Sequence, residues 1–448
     1  MRRTLCLAAS FAAAIVAMSW HTQSRAANSG NANGVAADSG QPDARPSNTW
    51  DQKAAAAYLD QRAGWWMEWP RAARDHGTFC VSCHTAVPYA MSRPLLRGPL
   101  AEQGPSANEQ KLLNNVIKRV RLWKEVAPFY TDADRGVYKS VESRGTESVL
   151  NALILASHDA SKDATDSGDS GHLSNDTRTA FENMWAEQQT AGEDKGAWRW
   201  LRFKNEPWEA DDSDFYGAAL AAVAVGTAPE NYRAKPEIQN NLKLLREYLN
   251  RECVAQTSIN RAVLLWASAK MPGLLVPDRQ KAIINELLSK QQADGGWSLP
   301  SLVGDWKRHD GTPQEPQSDG YATGLVTFAL QQAGIPRTNA QLKNGLAWLA
   351  RNQDKARGSW LAYSLNKNVE HHISPETALF MNDAATAYAV LALSDTNPTK
   401  SRTIHPLFPV SRHPFGHASD YSQLIRSSET ACRGNANCKR ATPCATLM

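Results

Sequence analysis

The sequence lacks several features that would assign it to common classes of protein. Lys and Arg number 49 and Asp and Glu 45, so the net charge is only +4 and there is no basic stripe of the kind that binds nucleic acid. After the N-terminal segment, no apolar run approaches the ~20 residues of a membrane-spanning helix. From about residue 108 to residue 394, no stretch alternates polar and apolar residues as a half-buried strand does. These absences argue against nucleic acid as a partner and favour an all-α chain.

Cysteine is also scarce, and two of the seven cysteines form the most informative motif, Cys80-Val-Ser-Cys83-His84. Two thiols at this spacing can add across the two vinyl groups of one haem, and the histidine that follows can ligate the iron. A zinc site would need two more ligands, and there is no second CxxC. A thioredoxin-like pair would follow a strand, and no strand pattern precedes Cys80. The motif therefore predicts one covalently attached haem c, with Cys80 and Cys83 in thioether bonds and His84 as the proximal ligand.

The N-terminus has the pattern of an export signal. Basic residues at positions 2 and 3 precede an apolar run over residues 5–18, and small residues at positions 24 and 26 suit cleavage after Ala26. The apolar run is shorter than a spanning helix needs. We therefore expect a soluble, periplasmic mature protein without a transmembrane segment.

Composition divides the rest of the chain. The predicted parts are a signal peptide (1–26), a disordered tether (27–47), a c-type haem-binding segment (48–107), a helical region (108–395) and an irregular tail (396–448). The tail carries Cys432, Cys438 and Cys444, for which one disulfide or additional metal ligands are alternatives. Cys253 stands alone and is predicted to be a buried, small apolar residue.

The helical region repeats itself. Three segments can be aligned, over residues 213–225, 318–330 and 382–394, and two weaker copies start at 146 and 258. Each begins with Ser, Thr or Asn, which are good N-cap residues, and then is apolar or small on nearly every side. Such helices suit positions between other helices, and the spacing of the copies fits helical hairpins.

A second repeated element precedes three of these helices. It consists of a glutamine, a glycine and a tryptophan: Gln188-Gln189…Gly196-Ala-Trp198, Gln292…Gly296-Trp297 and Gln353…Gly358-Ser-Trp360. This element resembles the QW motif of squalene–hopene cyclases, and the repeats are similar to the wider α/α-toroid superfamily that includes protein prenyltransferases. The resemblance covers about residues 110–395. It implies an all-α fold, an α/α toroid of about five or six helical hairpins, with a cavity for a hydrophobic, isoprenoid-like molecule. The chain departs from those cyclases in having room for one barrel and in carrying a haem motif, and it lacks the zinc ligands of the prenyltransferases.

The resemblance also implies candidate catalytic acids, because class II terpene cyclases place a proton-donating DxDD motif at the head of one inner helix. If residues 209–212 match that motif, Asp211 is the donor. If residues 211–214 match, as the repeats favour, a serine takes the donor's position. The candidates are Asp211, Asp212 and Asp214. The alternative role is N-capping, which the recurrence of acids at Asp319 and Asp383 supports.

The second axial ligand of the iron is not fixed by the sequence. No methionine lies between Met91 and Met184, where a compact monohaem cytochrome would be expected to supply one. Met91 is the nearest downstream candidate for the distal position. The other candidates are Met67, His76, His371, His372 and Met381. An open site that binds oxygen, peroxide or CO is the alternative. Trp65, Trp66, Trp69 and Phe79 are predicted to line the haem crevice.

These observations predict an exported, cytochrome-like monohaem protein for electron transfer or redox chemistry. A periplasmic redox partner protein is expected, and the toroid would dock that partner or bind a hydrophobic ligand. The alternatives are a haem-dependent oxidoreductase acting on an apolar substrate, a cyclase-like enzyme using the acids at 211–214, and a binding or sensing module. The sequence does not decide whether the protein is an enzyme.

Overall fold

The protein is described here by a computed structural model that covers residues 49–162, 171–367 and 374–394. The predicted signal peptide, the tether and the cysteine-bearing tail lie outside these residues, as do His371 and His372. A two-stranded antiparallel ribbon pairs β1 (Ala73–Arg74) with β2 (Thr78–Phe79). The α-helices of the described residues are α1 (Gln52–Glu68), α2 (Ala86–Ser92), α3 (Ala107–Arg121), α4 (Asp132–Arg135), α5 (Val137–Lys162), α6 (Asn175–Ala186), α7 (Ser213–Thr227), α8 (Gln239–Glu252), α9 (Ser258–Lys270), α10 (Pro277–Ser289), α11 (Leu299–Leu302), α12 (Gly320–Gln332), α13 (Ala340–Arg351) and α14 (Phe380–Leu393).

The helices fall into two sets that differ in the distribution of apolar residues. Helices α7 and α12 are buried along nearly their whole length, because small and apolar side chains surround them on every side. Outer helices such as α8 bury only one stripe, which is formed by Leu242, Leu245, Tyr248 and Leu249. A helix without a polar face is stable only between other helices, whereas a striped helix can face solvent. The sequence pattern therefore places α7 and α12 inside and α8 outside.

The inner helices form a closed ring. Helix α5 packs against α7, α7 against α9, α9 against α12, and α12 against α14. These are the five helices of the predicted repeat. The short α2 packs against both α14 and α5 and closes the ring as its sixth member. The all-α toroid predicted from the sequence is confirmed, with six helical hairpins.

The haem-motif segment belongs to this ring. Helices α1 and α2 form the first hairpin, and all described residues from Trp50 onward belong to one compact unit. Pro88 lies in the first turn of α2, where the missing amide hydrogen costs no helical bond. Cys253 is buried, as predicted. No described helix is long and apolar enough to cross a membrane.

Glutamine side chains join successive hairpins. The Gln188 amide donates to Gly196 O in its own turn (3.0 Å) and to Asn241 O at the start of α8 (3.1 Å). Gln291 makes the equivalent bonds in the second element, one residue before the glutamine quoted from the sequence. Gln353 donates to Gly358 O (3.2 Å) and to Asp51 O (2.9 Å). Each of these glutamines thus acts as a staple between two hairpins. Because Asp51 caps α1, the staple formed by Gln353 joins the final hairpin to the first and closes the ring.

Gly358 is required at that junction. Its φ is +79°, which disfavours any side chain, and a Cβ atom would lie 2.0 Å from the carbonyl oxygen of Ala54. The close approach brings the turn against the first turn of α1. The tryptophan of the same element, Trp360, is fully buried and donates from Nε1 to Leu349 O at 2.8 Å. Gly358 thus allows the turn to approach α1, and Trp360 ties the same turn to α13.

Candidate functional site

A cavity of about 1020 Å³ opens at the end of the ring where α2 and α14 begin. Four stretches of chain line it, within residues 66–84, 129–146, 201–209 and 364–381. Cys80, Cys83 and His84 all contribute to its wall. The structure therefore brings the complete CxxCH motif to one cavity of the toroid.

The motif is held in place by its neighbours. The Asn115 side chain pairs with both backbone groups of Phe79, at 2.8 and 3.0 Å, and fixes the chain just before Cys80. Trp66 Nε1 donates to Cys80 O at 2.7 Å. Ser82, between the two cysteines, accepts a bond from the Ala86 amide (3.0 Å) at the start of α2. The serine inside the motif thus supports the helix that closes the ring.

The two cysteines are free thiols, and both are half-buried. Burial raises the pKa of the Cys80 thiol and that of the Cys83 thiol far above the ordinary value. Arg74 opposes this effect at Cys80. Both side chains are therefore neutral, unbridged thiols facing the cavity.

His84 is enclosed by aromatic rings. Phe380 stacks on its imidazole at 3.8 Å between ring centroids, with 25° between the planes. Trp66 meets the ring edge-on at 4.9 Å, and Trp208 lies at 5.9 Å. Burial, with a smaller contribution from Arg62, lowers the pKa of His84 to about 3, so the imidazole is neutral. Nδ1 lies 2.8 Å from Thr85 Oγ1, and among the described residues Nε2 has no hydrogen-bond partner.

The acids at the heads of the inner helices have different roles. Asp319 caps α12 by accepting from the amides of Tyr321 and Ala322, as the capping prediction expects. Asp383 lies in the first turn of α14 and instead pairs with Arg62, with Nε to Oδ1 at 2.7 Å. The reason is that the first hairpin brings a buried arginine to this position in the ring.

The three candidate catalytic acids do not line the cavity. Asp214 pairs with Arg202 at 2.6 Å, and although burial raises its pKa to about 6, the arginine opposes that shift. Asp212 accepts a bond from Asn260 at 2.9 Å. The cavity wall contains neither these two acids nor Asp211. Proton donation by the three acids stays a prediction, without support from their position.

Two acids that the sequence did not single out for catalysis do line the cavity, Glu206 and Glu209. Burial, followed by repulsion from Asp212 and Asp211, raises the pKa of Glu206 to about 8. Burial raises the pKa of Glu209 to about 7. A tight turn positions both, because Asn205 and Glu209 exchange backbone hydrogen bonds at 3.1 and 2.9 Å. The acidic cluster was visible in the sequence, but nothing local showed which members face the cavity.

The candidates for the second axial position are separated by the fold. Met91 does not line the cavity, and its sulfur accepts a hydrogen bond from Ser157 at 3.3 Å. Met67 is buried away from the wall, and His76 is exposed beside Asp75. Met381 is the only described methionine that lines the cavity, and among the described histidines only His84 does so.

The predicted aromatic crevice is present in part. Trp66 and Trp69 line the cavity, and Trp65 stacks on Trp69 at 5.1 Å. Phe79 is buried outside the lining. Phe380 and Trp208 complete the aromatic surface, and their distance in sequence from the motif explains why the sequence did not indicate them.

Basic side chains also reach this wall. They are Arg71, Arg74, Arg135 and Lys367. The Arg74 guanidinium lies 3.6 Å from the Phe129 ring centroid, and its Nε is a buried donor that has no hydrogen-bond partner within the part of the chain that the structure describes. A buried, unpaired donor is costly unless an acceptor reaches it. The cavity thus has a polar side that is suited to anionic groups.

No protein-family model matches the chain, and no curated protein matches it in sequence. Among solved structures, the α-1,6-mannanase GH76A from Salegentibacter sp. HEL1_6 is 12% identical, with a TM-score of 0.43, over 76% of this chain and 100% of its own. An inactive variant of that mannanase with α-1,6-mannotriose gives 11% identity and a TM-score of 0.42 over the same shares. A polysaccharide lyase is 10% identical over 80% of this chain and 92% of its own, with a TM-score of 0.32. Likenesses this weak carry no argument about activity.

Proposed function

We propose that this protein is a monohaem c-type protein of the periplasm that transfers electrons to or from a redox partner protein. The haem would be attached through Cys80 and Cys83, with His84 as its proximal ligand. The observation that carries the proposal is the arrangement of the motif. Both thiols line one cavity together with the His84 imidazole, whose Nε2 has no hydrogen-bond partner among the described residues.

The residues of the cavity suit a haem. The thiols are unbridged, and aromatic side chains offer apolar surface to the porphyrin. The buried, unpartnered Nε of Arg74 suits a haem carboxylate, and Arg71, Arg135 and Lys367 add positive charge at the same wall. When bound, the haem supplies a one-electron redox centre. The protein's part is to hold it, to orient His84 and to exclude water on the aromatic side.

A second candidate function uses the same cavity. Its volume of about 1020 Å³ lies at the upper limit for ligand pockets, which supports an additional apolar, isoprenoid-like molecule beside the haem. In that case the protein would be a haem-dependent oxidoreductase acting on an apolar substrate. Glu206 and Glu209 would then provide carboxyl groups that hold protons near neutral pH.

The proposal is tested by expressing the full chain together with a c-type maturation system. Haem should remain on the protein in a denaturing gel and give the absorption of a haem bound by two thioethers. Cys80→Ser and Cys83→Ser should each remove one thioether, and the double variant should lose covalent haem. Cys253→Ser is the matched control, because this buried cysteine lies outside the cavity wall and should leave attachment unchanged.

Two results would overturn the proposal: a parent protein without covalent haem, or a double variant that keeps it. Addition of CO to the reduced protein then separates the two functions. A spectrum indifferent to CO means that a side chain closes the iron and supports electron transfer. A spectrum that shifts with CO means an open position and supports the oxidoreductase.

A further inference from the structure

His84 is linked to a buried ion pair by hydrogen bonds that cross the seam of the ring, where the first and last hairpins meet. Its Nδ1 lies 2.8 Å from Thr85 Oγ1, and the Thr85 hydroxyl lies 2.7 Å from Asp383 Oδ2. Asp383 also accepts from Arg62 and from the hydroxyl of Tyr58, at 2.7 and 2.9 Å. The participants come from α1, from the start of α2 and from α14. The link therefore exists only when the first and last hairpins are joined.

The proton positions in this chain of bonds follow from its members. An ionised carboxylate can only accept, so Thr85 must donate its single hydroxyl proton to Asp383. Thr85 Oγ1 is then an acceptor for His84, which must carry its proton on Nδ1. The lone pair is left on Nε2, the nitrogen without a partner among the described residues. The network thus selects the tautomer that can ligate a metal through Nε2.

The carboxylate has no other way to be satisfied. Asp383 is 2% exposed and Arg62 is 5% exposed, so neither charge is hydrated by bulk water. Burial raises the pKa of Asp383, and the bonds from Arg62, Thr85 and Tyr58 oppose that shift. A second bond from Arg62 to Oδ2, at 3.0 Å, completes a bidentate pair that favours the ionised form.

We propose that Asp383 is a positioning residue that acts through Thr85 on His84. It fixes the tautomer and the orientation of the imidazole and increases the electron donation of the ring to a metal bound at Nε2. The inference rests on the proposed haem function. A partner behind a histidine ligand raises the basicity of that ligand, and a more basic axial ligand stabilises the ferric state. Thr85 and Asp383 therefore lower the reduction potential of the haem.

The test compares two substitutions of Thr85 in the mature, full-length protein. Thr85→Val removes the hydroxyl and should raise the ferrous-to-ferric ratio at a fixed ambient potential about tenfold, which is about 59 mV for a one-electron couple. Thr85→Ser keeps the hydroxyl and should behave like the parent. Thr327→Val is the control, because Thr327 is buried, lies outside the cavity wall, and has no hydrogen-bond partner for Oγ1 among the described residues.

A second readout needs no haem. Nitrogen NMR of the His84 ring in the unloaded protein should show the Nδ1–H tautomer in the parent and in Thr85→Ser, and its loss in Thr85→Val. Asp383→Asn should weaken the same preference, but it leaves Arg62 buried without a countercharge and can unfold the chain, so the Thr85 variants decide.

The outcomes are separable from those of the proposed function. If the parent carries covalent haem, and Thr85→Val has the same reduction potential and the same His84 tautomer as Thr327→Val, the inference is overturned while the haem function stands. If the parent carries no covalent haem, the effect on potential falls with the proposed function. If the tautomer is unchanged by Thr85→Val in the unloaded protein, the link from Thr85 to His84 is also refuted.

Discussion

Glu206 makes the stability of the protein depend on pH. The side chain is 7% exposed, lines the cavity, and has no cation within ion-pair distance among the described residues. Burial, with repulsion from Asp212 and Asp211, raises its pKa from 4.5 to about 8. Between pH 4.5 and about pH 8, the native state holds a proton on Glu206 that the unfolded state has released. Stability is therefore fully present below the unfolded pKa and is lost as pH rises through the native pKa.

The size of the effect follows from the two pKa values. Each tenfold change in acid strength is about 1.4 kcal/mol, so the move from 4.5 to about 8 is a loss on the order of 5 kcal/mol above pH 8. Glu206→Gln resembles the protonated acid in shape and cannot ionise. Relative to the parent, the variant should gain most of this amount between pH 5 and pH 9.

The assay is urea unfolding of parent and variant at pH 5, 7 and 9. The matched control is Glu193→Gln, which removes one negative charge from an exposed loop. Glu209, whose pKa is raised to about 7, leaves part of the pH dependence in both proteins. If Glu206→Gln and the parent lose stability in parallel from pH 5 to pH 9, the reasoning from burial is refuted.

Three further sets of substitutions test the packing of the ring. Gln353→Ala removes the hydrogen bonds to the first helix and should lower the free energy of unfolding by about 2 kcal/mol. Gln188→Ala should have a similar effect between neighbouring hairpins. A loss of stability near zero in urea unfolding would show that these glutamine bonds do not stabilise the ring. Arg119→Met leaves Glu147 buried without its bidentate partner and should lower the free energy of unfolding by about 3–5 kcal/mol. Adding Glu147→Gln in a double variant should restore most of this stability. If it restores none, the loss does not come from the unpaired carboxylate. Gly358→Ala should lower the thermal midpoint, because it adds strain at a positive φ and a clash with α1; an unchanged midpoint would show that the turn can move.

The inner helices were predictable because their signal is local. Helices α7, α12 and α14 are apolar on every side, and that property is visible within about 13 residues of sequence. Helix α2 was not predicted as a ring member. It spans only Ala86–Ser92 and contains Pro88, so no helical period can develop in it. Its place in the ring comes from contacts with α14 and α5, which no local pattern records.

The same distinction applies to the candidate site. Cys80, Cys83 and His84 could be predicted as one set because they lie within five residues of each other, and the structure places all three at one cavity. The partners of His84 were not found, because Thr85 and Asp383 are 298 positions apart and Arg62 and Asp383 are 321 apart. Met91 was the nearest methionine in sequence, but the fold directs its sulfur to Ser157.

In a chain that is made from its N-terminus, the seam between the first and last hairpins is the last part of the ring that can form. Cys80 and Cys83 emerge early, whereas Asp383, which accepts the hydrogen bond of the Thr85 hydroxyl, follows Thr85 by 298 positions. During that interval α1 and α2 have no α14 to pack against, and His84 lacks the ring of Phe380 that stacks on it. Docking of the last hairpin adds Phe380 and Met381 to the wall of the cavity that both thiols line. The cavity around the two thiols therefore takes its final form only when the last hairpin is in place.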